Sequence, residues 1–150
     1  MDAVLVPVDG DLYAVPTGWV REVVTAPTLT PLVTGPAVVL GLFNLRGEIV
    51  PLLDTASLLG VGGIDPVAFA VVLHTHLGPV GLSATGFPPR RQLGEPLGPS
   101  ELISGAELHR VDGQVVVLLD VQAVLDSVTS SARKQPTTPE SPATTLARRR

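Results

Sequence analysis

The alternation of apolar and polar positions predicts short strands along most of the chain. Val4 to Val8 and Leu12 to Val15 flank Asp9-Gly10-Asp11. Asp-Gly between apolar runs predicts a hairpin. Trp19 to Val24 continues as a strand, with Val20 and Glu22 on one face and Trp19 and Arg21 on the other. Pro27, Pro31 and Pro36 then punctuate a loop, since prolines so closely spaced argue against a helix. Leu40, Leu42 and Leu45 resume the apolar pattern, and Asn44, Arg46, Gly47 and Glu48 interrupt it as a turn would. Ile49 to Leu53 is an apolar run of strand length, short enough to be buried on both faces. Asp54 stops it. Its carboxylate suits the N-cap of a short helix over Thr55-Ala56-Ser57-Leu58-Leu59, and Gly60 suits the C-terminal stop.

The second half repeats the pattern. Phe69 to His76 and Val80 to Ala84 read as strands around a Gly78-Pro79 turn. Phe87 to Ser100, with Pro88, Pro89, Pro96 and Pro99, reads as a loop carrying Arg90 and Arg91 at a solvated tip. Leu102 to Leu108 and Val115 to Leu119 read as the remaining strands. Val121, Val124, Leu125 and Val128 share one face of a closing helix over 121–128. Gly47-Glu48-Ile49-Val50-Pro51-Leu52-Leu53-Asp54 also aligns with Gly113-Gln114-Val115-Val116-Val117-Leu118-Leu119-Asp120, and Gly41 with Gly105 across a two-residue gap. One unit of turn, buried strand, Asp cap and short helix is therefore used twice. Two copies are too few for a solenoid. They predict two similar, intertwined sub-barrels within one domain over 1–128, with the seam near 60–66.

Composition narrows the class. The 150 residues are 45% hydrophobic but only 3% aromatic, so Val and Leu must do most of the packing. Fifteen Gly and fifteen Pro imply short elements and many turns, which with the Val content predicts an all-β chain. No Cys is present, which rules out disulfides and thiolate metal sites and fits the cytosol. No apolar run approaches the ~20 residues needed to span a bilayer, and Met1-Asp2-Ala3 lacks the basic start of a signal peptide. A soluble, cytoplasmic protein is expected. Residues 1–128 hold five Arg against thirteen Asp and Glu, a net of -8, which disfavours a nucleic-acid surface. Residues 129–150 hold five basic residues and Glu140, a net of +4. This Ser/Thr/Pro/Arg tail cannot bury a core and is expected to be disordered.

Candidate chemistry is sparse. No nucleotide-binding loop, zinc signature or G-x-S-x-G elbow occurs. His74 and His76 would project from one face of a strand, but no third ligand is evident, so no metal and no cofactor is expected. Leu52-Leu53-Asp54-Thr55-Ala56 resembles the active-site turn of aspartic proteases, whose chemistry needs two carboxylates sharing a proton. The second copy, Leu118-Leu119-Asp120-Val121, lacks the Thr and the small residue, so only a homodimer using Asp54 twice would serve.

Gly41-Leu42-Phe43-Asn44-Leu45-Arg46-Gly47-Glu48-Ile49-Val50-Pro51-Leu52-Leu53-Asp54 resembles the most characteristic motif of CheW-like domains, the bacterial chemotaxis coupling proteins. The first hairpin, Val20-Arg21-Glu22-Val23, Val80-Gly81-Leu82, Ile103-Ser104-Gly105 and Asp112 to Leu125 extend the resemblance over residues 2–128. It implies two five-stranded, SH3-like barrels packed across a hydrophobic seam and no catalytic residues. It also implies a signal-transduction scaffold, bridging a CheA-like histidine kinase and the cytoplasmic tips of methyl-accepting chemoreceptors. By position, the resemblance assigns Arg46 and Glu22 to partner contact or to holding the groove, with Val20, Asn44 and Gly47 beside them; Val20 suits either an apolar partner patch or the core, Asn44 and Gly47 suit turn-making, and Asp54 and Asp120 are structural caps. An alternative is that Arg46 and Glu22 pair with each other and only brace the fold. The chain departs from the family where Ser83-Ala84-Thr85 follows V-G-L, placing Thr85 at a usually acidic position, and where the Pro-rich stretch from Thr85 to Leu102 is shorter than usual. The second half is therefore the divergent one, as in an adaptor serving a pilus or developmental array. The remaining alternative is a small-barrel adaptor outside chemosensory signalling.

Overall fold

The computed structural model describes residues 1–61, 66–103 and 105–134, the last five of them as backbone only. Among these residues eleven strands run β1 (Asp2–Val8), β2 (Asp11–Pro16), β3 (Val20–Thr25), β4 (Val39–Leu45), β5 (Glu48–Leu53), β6 (Phe69–Thr75), β7 (Gly78–Ala84), β8 (Arg90–Gln92), β9 (Pro96–Pro99), β10 (Glu107–Val111) and β11 (Gln114–Leu118). Helix α1 (Thr55–Leu58) follows β5, and α2 (Val121–Lys134) follows β11. The strands form two sheets, ordered β8-β1-β2-β11-β10-β9 and β3-β6-β7-β5-β4.

The two sheets are one plan used twice. In each, a capped hairpin (β4–β5 or β10–β11) lays its second strand parallel to the second strand of another hairpin (β6–β7 or β1–β2). The registers coincide: Leu52 lies opposite Gly81, and Leu118 opposite Ala14. Both sheets also close alike. The strand that begins at β8 beside β1 turns at Leu93–Glu95 and continues as β9 beside β10. Leu93 donates its N–H to Met1 O, and Gly94 donates to Arg110 O. In the other sheet β3 pairs with β6, and the same stretch of chain reaches Thr30, which bonds Leu42 of β4 in both directions. Counted with these bent strands, each barrel has five strands.

The seam expected near 60–66 is not where the barrels meet. Residues 62–65 lie outside the described part, but the elements on either side, α1 and β6, serve the same barrel. The chain leaves one barrel after β2, completes the other from β3 to β7, and returns at β8. The N-terminal hairpin therefore finishes the barrel that the C-terminal hairpin begins. Apolar patterning marks which strands are buried, not which strands they pair with, so the sequence order suggested the wrong boundary.

Among the described residues three clusters form the core. Val4, Val6 and Val8 of β1 face Val71 and Leu73 of β6 and Leu82 of β7 across the shared seam, together with Leu119, Val121 and Leu125. Ala3 and Leu5 point instead into their own barrel with Val111 and Val116. Ala70 and Val72 do the same in the other, with Phe43, Val50 and Leu52. The central strands are thus apolar on both faces, which a period of two distributes between two different cores.

Several local expectations change. Phe87 to Ser100 is not a plain loop, because β8 and β9 lie in it. β9 is an edge strand with a partner on one side only, so Pro96 and Pro99 lack no necessary donor. Arg90 and Arg91 are on β8, where Arg90 bonds Asp2 at 2.9 Å. The last strand pair begins at Glu107, and Leu102 is exposed. Gly105 lies before β10 and has no place equivalent to Gly41 within β4. Helix α2 continues to Lys134, so residues 129–134 of the stretch expected to lack structure are helical; residues 135–150 lie outside the described part. His76 sits in the two-residue turn closing β6–β7 rather than on the strand with His74, and no group of metal-ligating side chains occurs among the described residues.

Both aspartates sit at helix starts. Asp54 accepts the N–H of Ser57 at 3.2 Å, and Asp120 that of Ala123 at 3.1 Å. Thr55 and Ser83, both fully buried, satisfy each other through Thr55 N–H to Ser83 Oγ at 3.0 Å and Thr55 Oγ1 to Ser83 O at 2.7 Å. Thr85, at the divergent position, ties the barrels together: it donates its N–H to Pro7 O and accepts the Asp9 N–H at 3.0 Å. Asp54→Ala is expected to lower unfolding stability by about 1 kcal/mol, the usual cost of losing an N-cap. Urea denaturation measures it, and an unchanged midpoint would remove the capping role.

Candidate functional site

The site is built on the β4–β5 turn and the edge strand β3. Leu45 pairs with Glu48, leaving Arg46-Gly47 as a two-residue loop with φ of 50° and 90°. Two positive angles in succession are the signature of a type I′ turn. Asn44 supports it by accepting the Gly47 N–H on Oδ1 at 3.0 Å. Among the described residues two other turns are of this kind, at Asp9-Gly10 and Asp112-Gly113, with φ of 47° and 48° at their first positions. Asp tolerates that conformation well. Arg does not favour it, so the turn chemistry alone gives no reason for Arg46.

Its side chain reaches β3. Arg46 Nη1 donates to Glu22 Oε1 at 2.9 Å and Nη2 to Oε2 at 2.5 Å, a bidentate fork. Arg21 Nη1 lies 2.7 Å from Glu48 Oε1, and Arg21 Nε lies 3.4 Å from Glu22 Oε2. Four charges of alternating sign therefore join β3 to the β4–β5 turn. These are the two ends of one sheet, so the network clasps the barrel at one rim. Arg46 is nevertheless 63% exposed, against 27% for Glu22.

Alternation placed Arg21 on the face opposite Glu22. The structure brings both to the same network, because the β3–β6 register shifts between Val20 and Glu22. A bulge adds one residue to the strand and breaks the alternation there. Arg21 and Glu48 are thus site members that the sequence reading missed. Glu48 was reachable, as the residue directly following the Arg46-Gly47 turn. Val20 is half-buried and packs against the shared core. Asn44 and Gly47 shape the turn.

At the corresponding turn the other barrel carries a single, looser ion pair with the signs exchanged. Asp112, at the turn position that aligns with Arg46, faces Arg91 of β8 at 3.5 Å from Nε to Oδ2. Both side chains are well exposed, Asp112 at 79%. The two barrel rims therefore present opposite charge at their turns.

Glu22 titrates below the ordinary glutamate value of 4.5. The hydrogen bonds from Arg46 are the main cause; partial burial opposes them, and the charges of Arg46 and Arg21 add to them. A carboxyl held lower in the folded than in the unfolded state stabilises the fold above its unfolded value, and loses that contribution as pH falls through the folded one. Melting temperature is therefore expected to drop as pH falls below about 4.5, with a shallower drop in Glu22→Gln. The effect is small because the pair is solvent-screened. Identical slopes in the two proteins would remove the pair from the acid response.

Asp54 is only 7% exposed and caps its own helix, which is not the open placement that a protease dyad requires.

A family model described as a CheW-like domain matches residues 2–129. Among solved structures the fold is similar to that of the scaffolding protein TtCheW from Thermoanaerobacter tengcongensis, with a TM-score of 0.70 and 19% identity. The match covers 82% of this chain and 86% of that one. No curated protein sequence matches.

Proposed function

This chain belongs to the CheW-like domain family, and on that premise we propose that it couples chemoreceptor tips to a CheA-like histidine kinase by binding alone, on the cytoplasmic side of the membrane. No helix among the described residues is long and apolar enough to cross a membrane. The work of such a scaffold is geometric. It holds kinase and receptor in one array, so that a receptor rearrangement shifts the kinase equilibrium through differential contact. It uses no cofactor and no catalytic group.

The observation that carries the reading to particular residues is Arg46. It occupies a positive-φ turn position that favours Asp, Asn or Gly, yet the guanidinium, held by Glu22 through one N–H of each Nη, is 63% exposed and keeps its remaining N–H donors for a partner. A fixed, exposed guanidinium is suited to a partner carboxylate or to the carbonyls at a helix C-terminus. Bracing and contact coexist in this arrangement, because Glu22 pre-orders the fork that a partner meets. Val20, beside the bulge, packs on the shared core and backs this region from within.

The test is a pulldown of the full chain against the host's histidine kinases and receptor cytoplasmic fragments. Capture of both classes is expected. Capture of neither would overturn the coupling role and leave an adaptor with a different partner.

A further inference from the structure

A groove of about 590 Å³ lies between the β1–β2 turn, β11 and residues 99–103, on the barrel completed by the N-terminal hairpin and away from the Arg46 clasp. Leu12, Leu108, Val115 and Val117 give it an apolar floor, and Leu102, 90% exposed, stands at its lip. Asp11 and Glu101 form an acidic rim. Neither carboxylate has a salt-bridge partner among the described residues. Two smaller grooves, one beside α1 and α2 and one beside β5 and the end of α2, have no charged lining.

The chain itself supplies a segment of matching chemistry. Residues 1–134 hold seven basic and thirteen acidic residues, a net of -6, whereas residues 135–150 hold three Arg and Glu140, a net of +2. Those arginines, Arg148 to Arg150, follow Leu146 and Ala147. Reach is sufficient. Helix α2 borders the groove that shares Leu102 and Ile103 with the acidic one, through Ala123, Val124 and Ser127. From Val124 to Lys134 the helix advances about 15 Å, and the stretch from Lys134 to Leu146 extends up to about 40 Å. The segment can return past the helix and enter the groove.

We propose that residues 135–150 bind back into this groove, with Leu146 on the apolar floor and the arginines against Asp11 and Glu101. The tail then covers this face of the barrel in the same molecule, and anything that docks there must displace it. The proposal does not depend on the coupling role.

The chain has no cysteine, so Ala147→Cys gives a single site for a nitroxide label on the full-length protein. Paramagnetic broadening of backbone amide signals is the readout. Broadening at Leu12, Leu102 and Val115 at least about fivefold stronger than at Ile49 and Leu77 is expected at low salt. It should fall about threefold or more in 0.5 M NaCl, and likewise in Asp11→Asn with Glu101→Gln, since exposed charges lose attraction when screened or removed. Both substituted positions are exposed, so folding should be retained, and an unchanged amide spectrum elsewhere checks it. Uniform or absent broadening would overturn the proposal, as would broadening insensitive to salt and to the double substitution. A mixture of labelled protein with isotope-enriched unlabelled protein separates a second copy: groove broadening in that mixture would mean that the tail acts between molecules, and would also overturn it.

Discussion

Gly94→Ala is expected to lower the melting temperature by about 10 °C, an order-of-magnitude figure for overpacking worth about 3 kcal/mol in a domain of this size. Gly94 is where the bent strand crosses from β1 to β10. Its N–H donates to Arg110 O at 2.9 Å, and a Cβ built on it would lie well inside contact distance of that same carbonyl oxygen. The backbone there does not have positive φ, so the obstacle is space alone. An added methyl must push the strand off β10 and break the bond that closes the barrel. Gly41 holds the reciprocal place in the other barrel, on β4 under the bent strand, where a built Cβ would lie 2.8 Å from Thr30 O, and Gly41→Ala should act in the same direction. Gly18 has open space and ordinary φ. Gly18→Ala should therefore leave stability unchanged or raise it slightly by restricting the unfolded chain. Thermal melts of the three variants beside wild type decide it. A Gly94→Ala protein melting within about 2 °C of wild type would mean that the strand crossing is not what holds the barrel shut.

Those closures were not legible in the sequence, and the reason is physical. The Gly47–Asp54 and Gly113–Asp120 repeat showed that a capped hairpin is used twice, and the shared register of Leu52 with Gly81 and Leu118 with Ala14 shows why the copies align. Asp-Gly at 9–10 marked a hairpin because turn chemistry is local. Strand partners are not local. Nothing in Val4–Val8 says that it completes a barrel begun a hundred residues later, so the seam was placed by chain order. Pro96, Pro99 and the Arg90-Arg91 pair hid β8 and β9, since edge strands tolerate residues that usually signal loops. At the site, Arg46 and Glu22 came from the family resemblance. Arg21 was lost because a bulge is a property of pairing with β6. The opposed charge at Asp112 could have been found, because the repeat aligns Asp112 with Arg46; its partner Arg91 could not, being on an unseen strand.

Arg46→Asn separates bracing from partner contact and should give the largest functional effect. Asn suits the positive-φ position better than Arg and keeps the turn, but it removes the fork. If Arg46 serves mainly as a contact, kinase or receptor affinity falls about 30-fold or more, as for a buried arginine anchor in an interface, while the melting temperature moves by no more than about 3 °C, as for other exposed substitutions. Arg46→Glu should weaken binding further, because it places a third carboxylate beside Glu22 and Glu48 with only Arg21 to offset them. Combining it with Glu22→Arg restores an ion pair across the rim with its polarity reversed, the arrangement that Asp112 and Arg91 already use. That double variant should recover thermal stability without recovering binding, since the partner would meet the wrong charge at the turn. Full recovery of binding by the exchanged pair would assign the clasp to the fold alone. A melting temperature that collapses in Arg46→Asn with affinity intact would lead to the same conclusion from the other side.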